Sequence, residues 1–174
     1  MKRVLATVLL CLVLATPGRA DTPGEVAVGG SLAPLPLLGI NGPARNLSDY
    51  RGKPLIINVW ASWCGPCKEE MGSLERLFWR DEARHFTVIG ISTDDDPQAA
   101  RAFLRRSNAS FSHFIDQRLA AENMLGASRL PLTVLVDAQG RVLKKIYGAR
   151  EWDSAQSLQL IQATFGKAAA AAKP

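Results

Sequence analysis

The sequence predicts an α/β sandwich in which helices flank a mixed central sheet. Three observations carry the prediction. Strand-like and helix-like segments alternate through most of the 174 residues, and the alternation closes on a strand pair. The run Pro54-Leu55-Ile56-Ile57-Asn58-Val59-Trp60 is apolar with little alternation, the pattern of a strand covered on both faces. Directly after it stands Trp63-Cys64-Gly65-Pro66-Cys67, at the point where the pattern turns helical.

The length is that of one domain with a sizeable core. A positive Met1-Lys2-Arg3, an apolar stretch and the small residues around Ala20 give residues 1–20 the layout of a secretory signal peptide, cut after about Ala20. The apolar stretch is shorter than the ~20 residues a spanning helix needs, which makes a retained anchor the lesser reading. Cys11 lies inside it and reads as an ordinary signal residue. Cleavage leaves Cys64 and Cys67 as the two cysteines, and the loss of Lys2, Arg3 and Arg19 lowers the formal charge from +5 to +2. No basic block remains of the kind that marks nucleic-acid binding. Export also places the dithiol in a compartment that oxidises thiols, so a reducing role requires electrons from elsewhere.

Residues 21–30 are small and Gly-containing and read as a flexible linker. The main domain is expected over 31–166. Pro34 and Pro36 restrict residues 31–38 to a short edge strand, and Asn41-Gly42-Pro43 turns the chain back into a hairpin partner at 44–47. After the buried strand, Cys67, Met71, Leu74 and Phe78 recur on one face of a helix expected to reach about Ala83. Residues 86–92 are a second buried strand. In Asp94-Asp95-Asp96-Pro97 the calcium-loop spacing is missing, and Asp96 as N-cap with Pro97 at the first helical position explains the stretch. That helix ends near Asn108. A short strand at 111–115 and a short helix at 118–124 follow, stopped by Gly126. Residues 132–137 are a third strand, Ala138-Gln139-Gly140 a turn, and 141–147 its antiparallel partner. A last helix at 151–165 carries Trp152, Ala155, Leu158, Ile161 and Phe165 on one face; Gly166 stops it, leaving 167–174 as a disordered tail.

Cys64 falls at the N-terminus of a helix, where unpaired N–H groups and the macrodipole favour a thiolate. Cys67 lies about one turn further on, within reach of a mixed disulfide on Cys64. A structural zinc site needs about four ligands, and His85 and His113 lack the spacing, so no metal is expected. Attachment of a c-type haem needs His after the second Cys, where Lys68 stands. A purely structural disulfide three residues long removes little unfolded-state entropy. Redox chemistry is the reading that remains.

These residues resemble the thioredoxin superfamily, and more narrowly the exported TlpA-like/ResA-like thiol–disulfide oxidoreductases. The resemblance covers about 32–165. It rests on Asn58-Val59-Trp60-Ala61-Ser62-Trp63-Cys64-Gly65-Pro66-Cys67, on Glu70-Met71, and on Leu130-Pro131-Leu132-Thr133 before Leu135-Val136-Asp137. It implies a thioredoxin-like three-layer sandwich with an N-terminal hairpin, and a central insert over 96–126. It implies a cis Pro131 packed beside the disulfide, with the Leu130 backbone free to bond an extended peptide. Trp63, Gly65 and Pro66 join Leu130 and Pro131 as substrate-binding residues. Cytosolic members carry an acid where this chain has Asn58; exported ones carry it three residues after the second Cys, where Glu70 stands. Burial near two thiols would raise its pKa and suit it to proton exchange with Cys67. Gly72 replaces the Pro usual in such relatives, so the helix kink is expected to be absent.

The expected function is thiol–disulfide exchange in the periplasm, with no cofactor beyond the Cys64–Cys67 disulfide. Gly65-Pro66 offers the thiolate no charged or hydrogen-bonding side chain, and strong oxidants depend on such stabilisation, so reduction is the expected direction. The substrates are exported proteins with disulfides, apocytochrome c among them, and a membrane thiol donor recharges the pair. A monomer is expected, with no nucleic-acid partner. Two rivals stand beside this: a disulfide-forming oxidase or isomerase using the same residues, and a redox-inactive module that binds client peptides at Pro131. A thiol peroxidase is disfavoured, since Ser62-Trp63 does not supply Thr-x-x-Cys.

Overall fold

The computed structural model describes residues 22–80 and 85–171. The signal-peptide reading of 1–20 lies outside them. In order, the elements are β1 (Pro36–Gly39), β2 (Arg45–Asn46), a 3-10 turn (Leu47–Tyr50), β3 (Leu55–Trp60), α1 (Gly65–Phe78), β4 (Thr87–Ser92), α2 (Pro97–Ser107), β5 (Ser112–Ile115), α3 (Ala120–Leu125), β6 (Leu132–Val136), β7 (Val142–Tyr147) and α4 (Ala155–Ala171). The strands form one sheet in the order β2-β1-β5-β4-β3-β6-β7. β3, β4 and β5 are parallel, while β6, β7, β1 and β2 pair antiparallel to their neighbours. The sheet is mixed, as expected.

Alternation along each strand divides the core between the two faces. Ile56 and Trp60 on β3, Val88 on β4 and Leu135 on β6 pack with Met71, Leu74 and Leu77 of α1, Phe103 and Leu104 of α2, and Ile161 of α4. Leu55, Ile57, Val59, Ile89 and Val134 pack on the other face with Leu125 of α3, Leu37 of the hairpin and Leu47 of the 3-10 turn. The result is three layers. Every residue of β3, the strand that leads into the Cys pair, is buried, as is every residue of its neighbour β6. Truncating a fully buried leucine such as Leu74 to Ala would cost about 2–5 kcal/mol.

Local signals place the helices as the sequence suggests. Asp96 caps α2, accepting from Gln98 N at 2.8 Å with Pro97 in the first turn. Gly126 ends α3 in the left-handed conformation, φ +73°. α1 runs through Gly72 as a single helix of 14 residues.

Three expectations need correction. The segment 21–30 is not a free linker where it is described. Val26 N donates to Met124 O, Gly29 N to Val142 O, and Val142 N to Gly30 O, each at 2.8–2.9 Å, and Glu25 pairs with Lys145. Small residues lack side-chain anchors, but their backbone groups pair with the open edge of β7 at its first residue, Val142. α1 ends at Phe78 with Trp79 as its C-cap, short of Ala83; residues 81–84 lie outside the described residues. α4 starts at Ala155 rather than 151 and continues past Gly166 to Ala171. One glycine costs roughly 1 kcal/mol in a helix, and alanine, which fills positions 168–171 of it, has the best helix propensity of any residue. The tail reading therefore fails over 167–171, and 172–174 lie outside the described residues.

Candidate active site

β3 delivers the chain to the redox pair through a loop held by one buried carboxylate. Asp94, at the end of β4, accepts from Ser62 N at 2.9 Å, Ser62 Oγ at 2.8 Å and Ser92 Oγ at 2.7 Å. Thr93 N donates to Trp60 O, and Cys64 N to Ala61 O. The turn before Cys64 is thus fixed from the neighbouring strand. Sequence reasoning assigned Asp96 its cap but missed this use of Asp94; its position two residues before that cap gave no signal.

Cys64 is the N-cap of α1 and Cys67 lies in the first turn, joined to it by a disulfide. Cys67 N donates to Cys64 Sγ at 3.2 Å. Cys64 is 5% exposed and Cys67 fully buried, so the first residue is the more accessible of the two. A thiolate on Cys64 would face the positive end of the helix. Gly65 and Pro66 are exposed, and Trp63 presents 70% of its surface.

The Leu130–Pro131 peptide is cis. Pro131 is buried, and Leu130 packs against the cluster that contains both cysteines. Pro131 O accepts from Gly148 N at 2.9 Å, whereas no hydrogen bond among the described residues uses the Leu130 backbone. An extended peptide laid beside Leu130 would find a free donor and acceptor.

Glu70 lies one helical turn after Cys67 and is 1% exposed, while its neighbour Glu69 is exposed. Oε1 accepts from Asn58 Nδ2 at 2.7 Å. Oε2 accepts from Trp152 Nε1 at 2.9 Å and Arg150 N at 3.2 Å. Burial pushes the carboxyl up to about 7, and the three donors hold it from rising further. Ser73 holds the segment that carries two of them, accepting from Trp152 N at 2.9 Å and sharing its one proton between Glu70 O at 2.7 Å and Arg150 O at 3.2 Å. Arg150 and Trp152 were not among the site residues picked from the sequence, and Asn58 was noted only as the position where cytosolic members carry an acid. A polar Asn58 in a fully apolar strand was the one available signal; Trp152 looked like part of a helix stripe.

A helix-capping cysteine pair, a cis proline at the mouth of the neighbouring strand and a carboxyl buried one turn behind the second sulfur define a thiol–disulfide oxidoreductase on a thioredoxin-like fold. The chain belongs to the Redoxin family, whose sequence pattern it fits over residues 28–160. It is 30% identical over 151 residues to the thiol–disulfide oxidoreductase ResA of Geobacillus thermodenitrificans, spanning 83% of this chain and 87% of that protein. Against ResA of Bacillus subtilis the identity is 27%, covering 81% and 80%. Among solved structures, a candidate thiol:disulfide interchange protein DsbE of Chlorobium tepidum superposes with a TM-score of 0.72 at 28% identity, over 80% of this chain and 98% of that one. The thioredoxin domain of a Bacteroides vulgatus thiol–disulfide oxidoreductase shares the fold at 17% identity, TM-score 0.66, over 78% and 99%. Among the described residues no helix is long and apolar enough to cross a membrane.

Proposed function

We propose that the chain is a periplasmic reductant of disulfides in exported proteins, the haem-binding cysteines of apocytochrome c among them. The reduced Cys64 thiolate attacks a partner sulfur, and the partner's second sulfur leaves as thiolate. Cys67 then attacks Cys64 Sγ, which releases the reduced partner and re-forms the Cys64–Cys67 disulfide. Glu70 takes the proton that Cys67 gives up in that second step and returns it when the pair is recharged by a membrane thiol donor. Leu130 and Pro131, with Trp63, Gly65 and Pro66 around the disulfide, hold the client as an extended segment.

The observation that carries this reading is the Glu70 carboxyl, fully enclosed one turn behind Cys67 and raised to about 7 by burial. A proton acceptor works best with a pKa near the working pH. The direction is supported by Gly65-Pro66, which leaves the thiolate without side-chain stabilisation. Export is supported by the layout of residues 1–20.

The test is covalent trapping with a peptide that carries an oxidised Cys-x-x-Cys-His motif. A Cys67→Ser protein is expected to hold the peptide as a mixed disulfide on Cys64, and a Cys64→Ser protein is expected to hold none. Trapping by Cys64→Ser, or none by Cys67→Ser, contradicts the assignment.

A further inference from the structure

Asn58 is fully buried on β3, and its amide is satisfied on one side only. Nδ2 donates to Glu70 Oε1 at 2.7 Å and to Thr133 Oγ1 at 3.1 Å, while Oδ1 has no partner. A buried acceptor left unpaired costs free energy and calls for a reason. The reason lies in what each neighbour of Glu70 can do when a proton arrives.

Both carboxyl oxygens are already filled by donors. Oε2 takes the Trp152 indole N–H and the Arg150 backbone N–H, and neither group can ever accept. A proton on Oε2 would face two donors. On Oε1 the partner is a primary amide, the one group here that carries a donor and an acceptor on a rotatable plane. Turning the Asn58 amide by half a turn brings Oδ1 to Oε1, where it accepts the new O–H. The same turn lets the Thr133 hydroxyl, which can also reverse, donate to Oδ1. Each orientation leaves one amide atom without a partner, Oδ1 in one and Nδ2 in the other, so neither is locked in.

We propose that Asn58 is a positioning residue that follows the charge of Glu70 by turning its amide, with Nδ2 toward Oε1 when the carboxyl is ionised and Oδ1 toward it when the proton is bound. The inference rests on the reading of Glu70 as the proton acceptor for Cys67. In that step the proton leaves Cys67 Sγ, arrives at Glu70 Oε1, and displaces the Asn58 donor. Asn58 thereby directs the proton to the carboxyl oxygen whose partner can make room for it. Among the described residues, the titratable and charged groups nearest Glu70 in these elements are Cys67, one turn before it on α1, and Arg150, whose backbone N–H binds Oε2 and whose guanidinium lies 6.0 Å from the centre of the Trp152 ring. β3 and β6 bring none. Glu151 and Asp153 on the same segment are paired with Arg76.

The test is the side-chain amide signal of Asn58 in 15N-labelled full-length protein, followed from pH 5 to 9 beside the Glu70 carboxyl 13C signal. The Asn58 signal is identified by its loss in Asn58→Ser. The expected result is an Asn58 amide pair that moves from a hydrogen-bonded to a weakly bonded position as pH falls, with the same midpoint as the carboxyl, near 7. In Glu70→Gln, which always offers an N–H, the pair is expected to keep its low-pH position throughout. A carboxyl that titrates beside an Asn58 signal that does not move overturns this inference and leaves the Glu70 reading standing. A carboxyl that does not titrate in this range overturns both.

Discussion

Trp152 donates its indole N–H to Glu70 Oε2 across 2.9 Å, joining two residues 82 positions apart in the chain. The contact ties the segment before α4 to the helix that carries the cysteines, and it stabilises the ionised carboxyl over the protonated one. Removing it has a defined sign. Trp152→Phe keeps the ring's bulk and deletes the donor, so the Glu70 titration moves to higher pH. The loss of a buried hydrogen bond to a charged group also lowers stability by about 1.5–3 kcal/mol at pH 8. The 13C titration of Glu70 and the urea midpoint of the variant check both statements.

Glu70 also makes stability depend on pH. Its carboxyl is raised from 4.5 in the unfolded chain to about 7 in the fold, because burial penalises the charged form. The folded state therefore binds more protons between these values. Its stabilising contribution is complete below pH 4.5 and is lost as pH rises through 7, a change of about 3 kcal/mol. The difference in unfolding free energy between the natural protein and Glu70→Gln, measured from pH 4 to 8, is expected to show that slope. A flat difference contradicts it.

His113 works in the opposite sense. It is 1% exposed in the core, its ring centre lies 4.1 Å from that of Phe111 at a tilt of 40°, and neither ring nitrogen has a partner. Burial lowers its pKa from 6.5 to about 3, so it stays neutral in the fold while the unfolded chain takes up a proton. That contribution is complete above pH 6.5 and is lost as pH falls toward 3, by roughly 5 kcal/mol at most. Gly90 is what admits the ring, since a Cβ there would stand 2.1 Å from His113 Nδ1. His113→Leu is expected to resist acid unfolding better than the natural chain, read as a lower pH midpoint of acid denaturation.

Lys145 and Glu25 form an ion pair with side chains 8% and 15% exposed. Lys145→Met removes a buried cation from beside the Glu25 carboxylate, at a cost of about 3 kcal/mol, the lower end for a buried pair. Faster hydrogen exchange at the amides of Val26 and Gly29 is the expected signature, because the segment they hold against β7 loosens first.

Much of this was legible in the sequence because it is written in side chains of strong local character. The unbroken apolar run of β3, the Cys pair at a helix start, and Asp96-Pro97 at the next helix each fix their element through one physical rule. The resemblance added the cis bond at Pro131 and the address of Glu70. What escaped has no local signature. The strap at 22–30 is held largely by backbone bonds, which any sequence can make. Trp152 fits a helical spacing with Leu158 and Ile161, yet it stands outside α4 and spends its N–H on a carboxyl that only the folded chain brings near. Gly166 reads as a stop, and the run of alanines after it carries the helix on.

Whether this pair of cysteines reduces or oxidises its partners is read from the reduction potential of Cys64–Cys67. The oxidised protein is equilibrated against glutathione or dithiothreitol buffers and the thiol fraction is read at each ratio. A potential at or below about −200 mV is the predicted result. A value near about −120 mV belongs to a strong oxidant and would contradict the account.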